Sequence, residues 1–377
     1  MFADIFKLRP KKILGIDVGT SSIRIVELGR KGKIYRLDNY GEVELLLVQE
    51  KPFQVFEKDT LLLSNKKIAT TIQAICQEAG IQAKDVNFSI PDFCSFFTSL
   101  QLPTMRKEEI PEAVSYEVRS YIPIPLSEIT LDWTIIEGEV AKTSLKVLVV
   151  AIPNDIISQY QEIAHLSGLN LKILESEVFA LVRSLIKNKG EKKRVGLIDI
   201  GARSTTCSIF DQGVLKISHS FNIGGNELTE TIIRALNIDY NKAEELKKTC
   251  GLFDPGKVIG KKFSGNIEPE DIQLAISKKR EVREILLPLV DAIIAEVKKI
   301  FRDFYKNEGK EIEKIILAGS SALIPGLKDY ISSELKKEVI IGDPFSNISF
   351  PPILSKTLKI RGPSYAIAVG LALKGFE

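Results

Sequence analysis

A short motif occurs twice in this chain, 182 residues apart. Residues 12–28 read K-I-L-G-I-D-V-G-T-S-S-I-R-I-V-E-L, and residues 194–210 read R-V-G-L-I-D-I-G-A-R-S-T-T-C-S-I-F. Superposing the copies places Asp17 on Asp199. Each copy is an apolar run, an Asp-apolar-Gly step, a few small residues and a second apolar run. This pattern predicts one β-hairpin in each half of the chain.

The turn predicted in each copy is suited to phosphate. Glycine lets a backbone approach an oxyanion closely, and consecutive turn N–H groups form an anion-binding nest. An aspartate beside a polyphosphate is repelled unless a cation lies between the two, which indicates Mg²⁺. One Asp-x-Gly step occurs in many ordinary hairpins, whereas two copies in the same apolar context favour a shared role. The sequence therefore predicts that Asp17 and Asp199 hold a nucleotide-bound Mg²⁺.

Composition argues against several other classes of protein. The 377 residues predict two domains, and 44% hydrophobic with 27% charged residues is ordinary for a soluble globular chain. A formal net charge of +3 gives no strong field toward nucleic acid. The four cysteines lack C-x-x-C spacing and the two histidines are isolated, which disfavours zinc and a Ser-His-Asp hydrolase. No apolar run approaches the roughly 20 residues that span a bilayer.

The order of predicted elements indicates an α/β protein with an insertion in its first half. We expect a helix over 65–80, followed by a compact inserted unit of strands and helices over 93–168. A helix then opens at Glu177, and the charged stretch 187–194 is interpreted as a linker. After the second hairpin, the apolar spacing predicts helices at 226–236, 242–250, 271–306 (kinked at Pro288) and 365–373.

Two candidate anion-binding features lie close to the hairpins. Arg24 follows Asp17 by seven residues, so it either points back toward the phosphates or lies on the surface of its strand. Gly224 and Gly225 precede a predicted helix, and helix N-termini attract anions. A plain loop with a helix cap would give the same pattern of residues.

Three further features are candidates for the nucleoside and for water. Glu244 and Lys247 share a helix face and either hold a ribose hydroxyl or form a surface pair. The turn at 319–321 follows a strand, and its small residues would let a base or a sugar lie against the backbone. Glu177 opens a helix, where it either orients an attacking water or complements the helix dipole.

The order of these motifs resembles that of the actin-like ATPase superfamily, in which a nucleotide lies between two related ribonuclease-H-like domains. Residues 17–24 and 199–205 look like the two phosphate motifs, and 317–327 looks like the adenosine motif. Residues 177–180 and 362–373 look like the two hinge helices. The resemblance implies a first domain at 1–190, a second at 191–355, and a C-terminal segment, 356–377, that returns to the first.

The inserted unit at 93–168 has the element order of the cell division protein FtsA. With its segments Tyr116-Glu117, 121–125 and 131–133, the chain is similar to the PilM family of type IV pilus assembly proteins. This resemblance implies a cytoplasmic ATP-binding scaffold that binds the cytoplasmic N-terminal tail of the inner-membrane protein PilN. It implies membrane association through that partner, contact with other pilus assembly proteins, and no nucleic acid.

Two positions depart from the family pattern. Arg24 stands where the first phosphate motif usually has lysine, so a planar fork replaces a point charge. Gly319-Ser320 replaces the usual Gly-Gly pair of the adenosine turn, which adds a Cβ near the purine. The chain stops at Glu377, shortly after its last predicted helix, so we expect no terminal membrane helix of the FtsA kind.

The predicted site residues come partly from the sequence motifs and partly from the family resemblance. Asp17, Asp199 and Glu177 are assigned to the metal and the chemistry, with slow ATP hydrolysis at most. The residues expected to contact Mg-ATP are Gly19, Thr20, Ser21, Ser22, Arg24, Gly201, Ala202, Arg203, Ser204, Thr205, Gly224, Gly225, Glu227, Glu244, Lys247, Gly319, Ser320 and Ser321. The alternatives are a filament-forming bacterial actin, whose self-association would appear on pelleting, and a small-molecule kinase of the same superfamily.

Overall fold

A computed structural model gives the structure of the chain. It describes residues 11–44, 56–57, 60–61, 64–186, 193–253 and 269–377. The chain divides into two compact units. Unit 1 comprises Met1–Glu191, Gln212–Ser218 and Asp343–Glu377, and unit 2 comprises Lys192–Asp211 and His219–Gly342. The predicted domain limits stay predictions, and residues 187–192, which hold the first limit and most of the predicted linker, lie outside the described ranges.

Both units contain strands and helices. The strands are β1 (Lys12–Val18), β2 (Ser22–Lys31), β3 (Ile34–Glu44), β4 (Phe56–Glu57), β5 (Thr60–Leu61), β6 (Asp85–Ile90), β7 (Phe96–Leu102), β8 (Ile129–Glu137), β9 (Leu145–Pro153), β10 (Asn170–Ser176), β11 (Val195–Ile200), β12 (Thr205–Asp211), β13 (Val214–Phe221), β14 (Lys314–Ala318), β15 (Glu338–Ile341) and β16 (Ile348–Ser349). The helices are α1 (Asn65–Glu78), α2 (Ile110–Glu117), α3 (Asn154–Leu166), α4 (Glu177–Leu185), α5 (Gly225–Leu236), α6 (Tyr240–Thr249), α7 (Pro269–Glu308), α8 (Leu327–Leu335), α9 (Ser355–Arg361) and α10 (Ala366–Lys374).

These helices confirm the ones predicted at 65–80, 226–236, 242–250, 271–306 and 365–373, with ends that differ by a few residues. Helix α7 is unbroken through Pro288. Within the described ranges, no helix is long and apolar enough to cross a bilayer.

The main sheet of unit 1 has six strands in the order β10-β6-β1-β2-β3-β16. Strands β1, β2 and β3 form an antiparallel meander, and β6 pairs in parallel with both β1 and β10. Alternation along β1 and β2 sends Ile16 and Ile25 into one core cluster and Val26 into another. Helices α1 and α3 cover the first face, and α10 covers the second.

The inserted part of unit 1 builds a separate small core. Strands β7, β9 and β8 form an antiparallel sheet in that order, and α2 packs on it through Ile110 and Val114. Helix α3 follows β9 in the chain but buries Ile156, Tyr160 and Ile163 in the core of the six-stranded sheet. The predicted range 93–168 therefore contains both a distinct small core and a helix of the main one.

Unit 2 repeats the arrangement around the second hairpin. Strand β11 pairs antiparallel with β12 and parallel with β14, which in turn pairs with β15, and β13 lies beyond β12. All six residues of β11 and all seven of β12 are buried, as expected for apolar strands covered on both faces. This sheet places the turn between β11 and β12 beside the end of β14.

Candidate functional site

Both predicted hairpins are present, and their turns are closed by the same hydrogen bond. The N–H of Gly19 donates to the carbonyl oxygen of Ser22 at 3.0 Å, and the N–H of Gly201 donates to that of Ser204 at 3.0 Å. A Cβ on either glycine would lie 3.1–3.2 Å from the accepting oxygen, which explains the preference for glycine there. The sequence repeat is therefore a repeat of backbone geometry as well.

In unit 1, the first hairpin aligns three charged side chains across the sheet. The strand registers place Arg24 opposite Asp17 on one side and opposite Glu42 on the other. The Nη1 atom of Arg24 lies 3.6 Å from Oδ2 of Asp17, and its Nε donates to Oε1 of Glu42 at 2.8 Å. Arg361 also contacts Glu42, at 3.4 Å. The guanidinium of Arg24 thus lies between two carboxylates, and its predicted contact with phosphate stays a prediction.

Asp17 is almost completely buried at the end of β1. Burial raises the pKa of Asp17, while Arg24 and a hydrogen bond from Ser89 oppose the increase. The Oγ of Ser89 donates to Oδ1 of Asp17 at 3.1 Å. Such a carboxylate gains from a nearby cation, since a positive charge offsets the cost of burying the ionised form.

Glu177 begins α4, as predicted, and its carboxylate is already engaged. Its Oε2 accepts from the N–H of Asp92 at 3.1 Å, and Oδ1 of Asp92 accepts from the N–H of Val178 at 3.3 Å. Sequence reasoning missed Asp92, a buried carboxylate that caps α4 from a position 85 residues earlier. Its only sequence signal is its position two residues after the end of β6.

In unit 2, the equivalent residues across the strands keep the aspartate, Asp199, but have hydroxyl side chains in place of the other two charges. The repeat superposes Arg24 on Thr206, which lies opposite Asp199 in the register of β11 and β12. The hydroxyl of Thr206 forms a hydrogen bond of 2.7 Å with that of Ser220. The second hairpin therefore has a buried aspartate without an arginine in the equivalent cross-strand position.

The glycine pair before α5 lies directly on the second turn. The N–H groups of Gly225 and Asn226 donate to the carbonyl oxygens of Gly201 and Ala202, at 2.9 and 2.7 Å. A Cβ on Gly224 would lie 2.7 Å from the oxygen of Ala202. This close approach explains both glycines and leaves a role in anion binding as a prediction.

Lys247 is buried on α6, and its ammonium contacts three acceptors. Its Nζ lies 3.0 Å from the carbonyl oxygen of Gly225, 2.6 Å from Oγ1 of Thr229 and 2.6 Å from Oε2 of Glu244. Burial opposes the charge on Glu244, but Lys247 and Thr229 outweigh it and lower the pKa of Glu244. The lysine thereby links α6 to the first residue of α5 and braces the glycine pair.

The turn after β14 completes this group of residues in unit 2. Gly319 has φ +87°, and a Cβ there would lie 2.4 Å from the carbonyl oxygen of Ile200 and 2.5 Å from Oδ1 of Asp199. A Cβ on Gly225 would lie 2.5 Å from Oγ of Ser321, which is buried. Unit 2 therefore brings together its hairpin turn, the glycine pair, Lys247 and the 319–321 turn.

The remaining predicted contacts differ in exposure. Thr205 is fully buried and donates to the carbonyl oxygen of Ile223 at 2.7 Å, which ties β12 to the approach to α5. Burial and Glu230 raise the pKa of Glu227, against Arg234 and the N–H of Gly224. Ser320 is exposed, and the half-buried members are Thr20, Ser21, Ala202, Arg203 and Ser204.

Comparison with known proteins identifies the family. Residues 15–255, more than half of the chain, match the family model described as type IV pilus assembly protein PilM. The chain belongs to this family. Residues 196–370 also match the model of cell division protein FtsA.

Relatives and solved structures align with most of this chain. FtsA of Enterococcus faecalis is 25% identical over 348 residues, covering 84% of this chain and 75% of that protein. FtsA of Pseudomonas aeruginosa is 23% identical, covering 97% of this chain and 90% of that protein. A structure described as a PilM-PilN type IV pilus biogenesis complex superposes with TM-score 0.81 and 22% identity, covering 98% of this chain and 100% of that one.

A more distant structure has the same architecture. MreB of Spiroplasma citri bound to AMPPNP superposes with TM-score 0.55 at 14% identity, covering 98% of this chain and 96% of that one. The chain thus has the actin-like ATPase fold predicted from the order of its motifs.

Proposed function

We propose that this protein is an ATP-binding scaffold of the type IV pilus assembly machinery. The observation that carries the proposal is the pair of hairpin turns closed by Gly19–Ser22 and Gly201–Ser204, each after a buried aspartate. Glycine turns of this kind, each beside a buried aspartate, suit a ligand with several equivalent oxygens, such as a polyphosphate. The nucleotide analogue bound to the MreB neighbour supports the same ligand class.

The residues present fit Mg-ATP. Mg²⁺ in nucleotide sites is held by one or two carboxylates together with phosphate oxygens, so Asp17 and Asp199 suffice without a protein cage. Within the described ranges, no three metal-ligating side chains cluster, which is consistent with that mode. The turn N–H groups would hold the phosphates, while Glu244 and the 319–321 turn would lie at the nucleoside. Bound Mg²⁺ would supply neutralisation of phosphate charge.

Hydrolysis is expected to be slow. Glu177, the residue assigned to orient water, accepts a hydrogen bond from the N–H of Asp92. A general base must be within hydrogen-bond reach of its water, and one oxygen of Glu177 is already engaged by this amide. The nucleotide would then act mainly as a ligand that stabilises one state of the scaffold.

The inserted part of unit 1 is the proposed site for the cytoplasmic tail of PilN. Tyr116 and Tyr121 are 70% and 59% exposed. A cavity of about 470 Å³ is formed by residues of the same stretch of chain. It is lined by Arg119, Ile122, Pro123, Ile124, Pro125 and Leu126. An extended peptide binds such a surface through a few apolar anchors. The similar structure of a PilM-PilN complex supports this partner, which would place the protein in the cytoplasm at the inner membrane.

Two titrations test the proposal separately. Calorimetry with ATP and Mg²⁺ should show binding that is lost in Asp199→Asn and retained in the control Asp329→Asn, an exposed aspartate of α8. Unchanged affinity in the Asp199 variant would refute the assignment of the second turn.

The second titration follows Trp133, the single tryptophan, which packs beside the small core of the inserted part. A peptide copying the PilN tail should change its fluorescence saturably, and Ile124→Glu should abolish the change. Tyr305→Glu on α7 is the control. Point variants are preferable to deleting 93–168, because that deletion would remove α3 from the main core.

The alternative function is a filament-forming bacterial actin. The match of 196–370 to FtsA and the fold shared with MreB favour it. ATP-dependent pelleting without PilN peptide would support filaments, and a monomer under those conditions would support the scaffold.

A further inference from the structure

The segment that leads into α9 carries exposed apolar side chains on a well-anchored backbone. Pro351 and Pro352 are exposed, and a short 3₁₀ turn over Pro352–Leu354 precedes α9. Leu358 is 2% exposed and packs in the unit-1 core, whereas Ile353 and Ile360 are 87% and 56% exposed. The segment is therefore fixed on one side and apolar on the other.

Two exposed isoleucines lie on this short segment. They are seven residues apart, Ile353 in the 3₁₀ turn and Ile360 in α9. A single exposed isoleucine is ordinary in a soluble protein. Two of them on one anchored segment, next to the Pro351-Pro352 step, give it a small apolar surface.

Every charged residue between Asp343 and Glu377 is basic. Lys356 and Lys359 are exposed, and neither makes an ion pair with any residue that the structure describes. The side chain of Arg361 is 59% exposed and pairs with Glu42. No acidic residue occurs between Asp343 and Glu377. The surface is therefore complementary to an anionic partner.

We propose that this surface, formed by Pro351, Pro352, Ile353, Lys356, Lys359 and Ile360, binds the anionic headgroup layer of a lipid bilayer. Lysines near a membrane are attracted to acidic lipids, and isoleucines beside them enter the boundary of the acyl chains. A protein partner would need a preformed hole for Ile353, whereas a bilayer accepts a protruding side chain at any point.

The inference goes beyond the proposed function, because it requires neither a nucleotide nor the PilN tail. Recruitment by a flexible tail would leave the orientation of the protein on the membrane undefined. A direct lipid contact through the α9 segment would fix which edge of unit 1 faces the bilayer.

Vesicle sedimentation with the full chain alone tests this inference. The protein should sediment with phosphatidylcholine vesicles that contain phosphatidylglycerol, less so as salt rises, and not with pure phosphatidylcholine vesicles. The variant Lys356→Gln plus Lys359→Gln should lose partitioning by roughly 25-fold, at about 1 kcal/mol for each lysine. Ile353→Ser plus Ile360→Ser should lose it by about tenfold or more.

Two matched variants control for charge and exposure. Lys66→Gln plus Lys67→Gln removes two exposed lysines of α1, and Tyr305→Ser removes an exposed ring of α7; both should partition as the parent does. Equal losses in test and control variants would overturn the assignment to α9, as would equal binding to neutral vesicles. Failure of the parent to bind anionic vesicles would overturn the lipid partner and favour an acidic protein on this surface.

Discussion

Gly370 of α10 lies directly against the backbone of Ala180 of α4. A Cβ built on Gly370 would be 1.9 Å from the carbonyl oxygen of Ala180. Arg183, one turn further along α4, lies 3.1 Å from the carbonyl oxygen of Gly370 and pairs with Glu175. The two helices therefore cross at a point where no side chain fits.

Replacing Gly370 with alanine should destabilise unit 1. A methyl group at this crossing must push two backbones apart, and overpacking of this kind costs roughly 1–3 kcal/mol or more. Gly362→Ala is the matched control, because its Cβ would make only an ordinary contact of 3.5 Å with Pro344. Urea unfolding followed by circular dichroism measures both. Equal midpoints for the two variants would show that the crossing relaxes without strain.

Asp17→Asn should raise stability at neutral pH. Burial holds the pKa of Asp17 above its ordinary value of 3.8, so the folded chain keeps a proton that the unfolded chain has released. Stability therefore falls as pH rises through that window, and the deficit persists at higher pH. The amide should remove this fall, measured by urea unfolding at acidic and neutral pH.

The same substitution should weaken binding of Mg-ATP under the proposed function, because an amide does not replace a carboxylate opposite a cation. A gain in stability together with a loss of Mg-ATP affinity would indicate that Asp17 serves ligand binding rather than the fold. A variant that binds Mg-ATP as the parent does would place the metal elsewhere.

Glu42 should compete with phosphate for Arg24. It accepts from Nε of Arg24 at 2.8 Å, so Glu42→Gln should free the guanidinium and tighten ATP binding. Arg24→Ala should weaken ATP binding by roughly 1.5–3 kcal/mol, the value of a charge-assisted hydrogen bond, with Arg24→Lys milder. Calorimetry with ATP and Mg²⁺ on the three variants measures these affinities. If none changes affinity, Arg24 serves only the cross-strand row with Asp17 and Glu42.

Lys247→Met should destabilise unit 2 strongly. The substitution removes the buried cation from the carbonyl of Gly225 and from the carboxylate of Glu244, which keeps only the exposed Lys248 at 3.3 Å; breaking a buried pair costs up to roughly 3–5 kcal/mol. The double variant Lys247→Met plus Glu244→Leu should recover part of this loss. A double-mutant cycle in urea measures the coupling, and strict additivity would show that the two side chains act independently.

The local parts of this structure were accessible to sequence reasoning, while the long-range parts were not. Two hairpins follow from an apolar run, a turn and another apolar run, because strand pairing across a tight turn needs no distant partner. The partnership of Arg24 with Glu42 depends on the register of β2 with β3, and a residue 18 positions away gives no periodic signal.

The same limit applies to the glycine pair and to α3. The sequence pattern of Gly224 and Gly225 fits either an anion site or a plain helix cap, and it does not predict that the pair packs on the turn at 201–204. The sequence order groups α3 with the inserted strands, because it follows them in the chain. Its apolar face packs on the six-stranded sheet, a choice between two cores that the helix pattern alone does not contain.

The position of α10 has a consequence for how the chain matures during synthesis. This helix is buried from Ala366 to Ala372, and a Cβ on Gly15 of β1 would lie 1.9 Å from the carbonyl oxygen of Ala368. A ribosome makes β1 first and α10 about 350 residues later, at roughly 5–20 residues per second. The sheet of unit 1 thus has one face uncovered until α10 has been made, whereas unit 2 has all its residues by Gly342. The half of the protein that is translated first is therefore the half that finishes folding last.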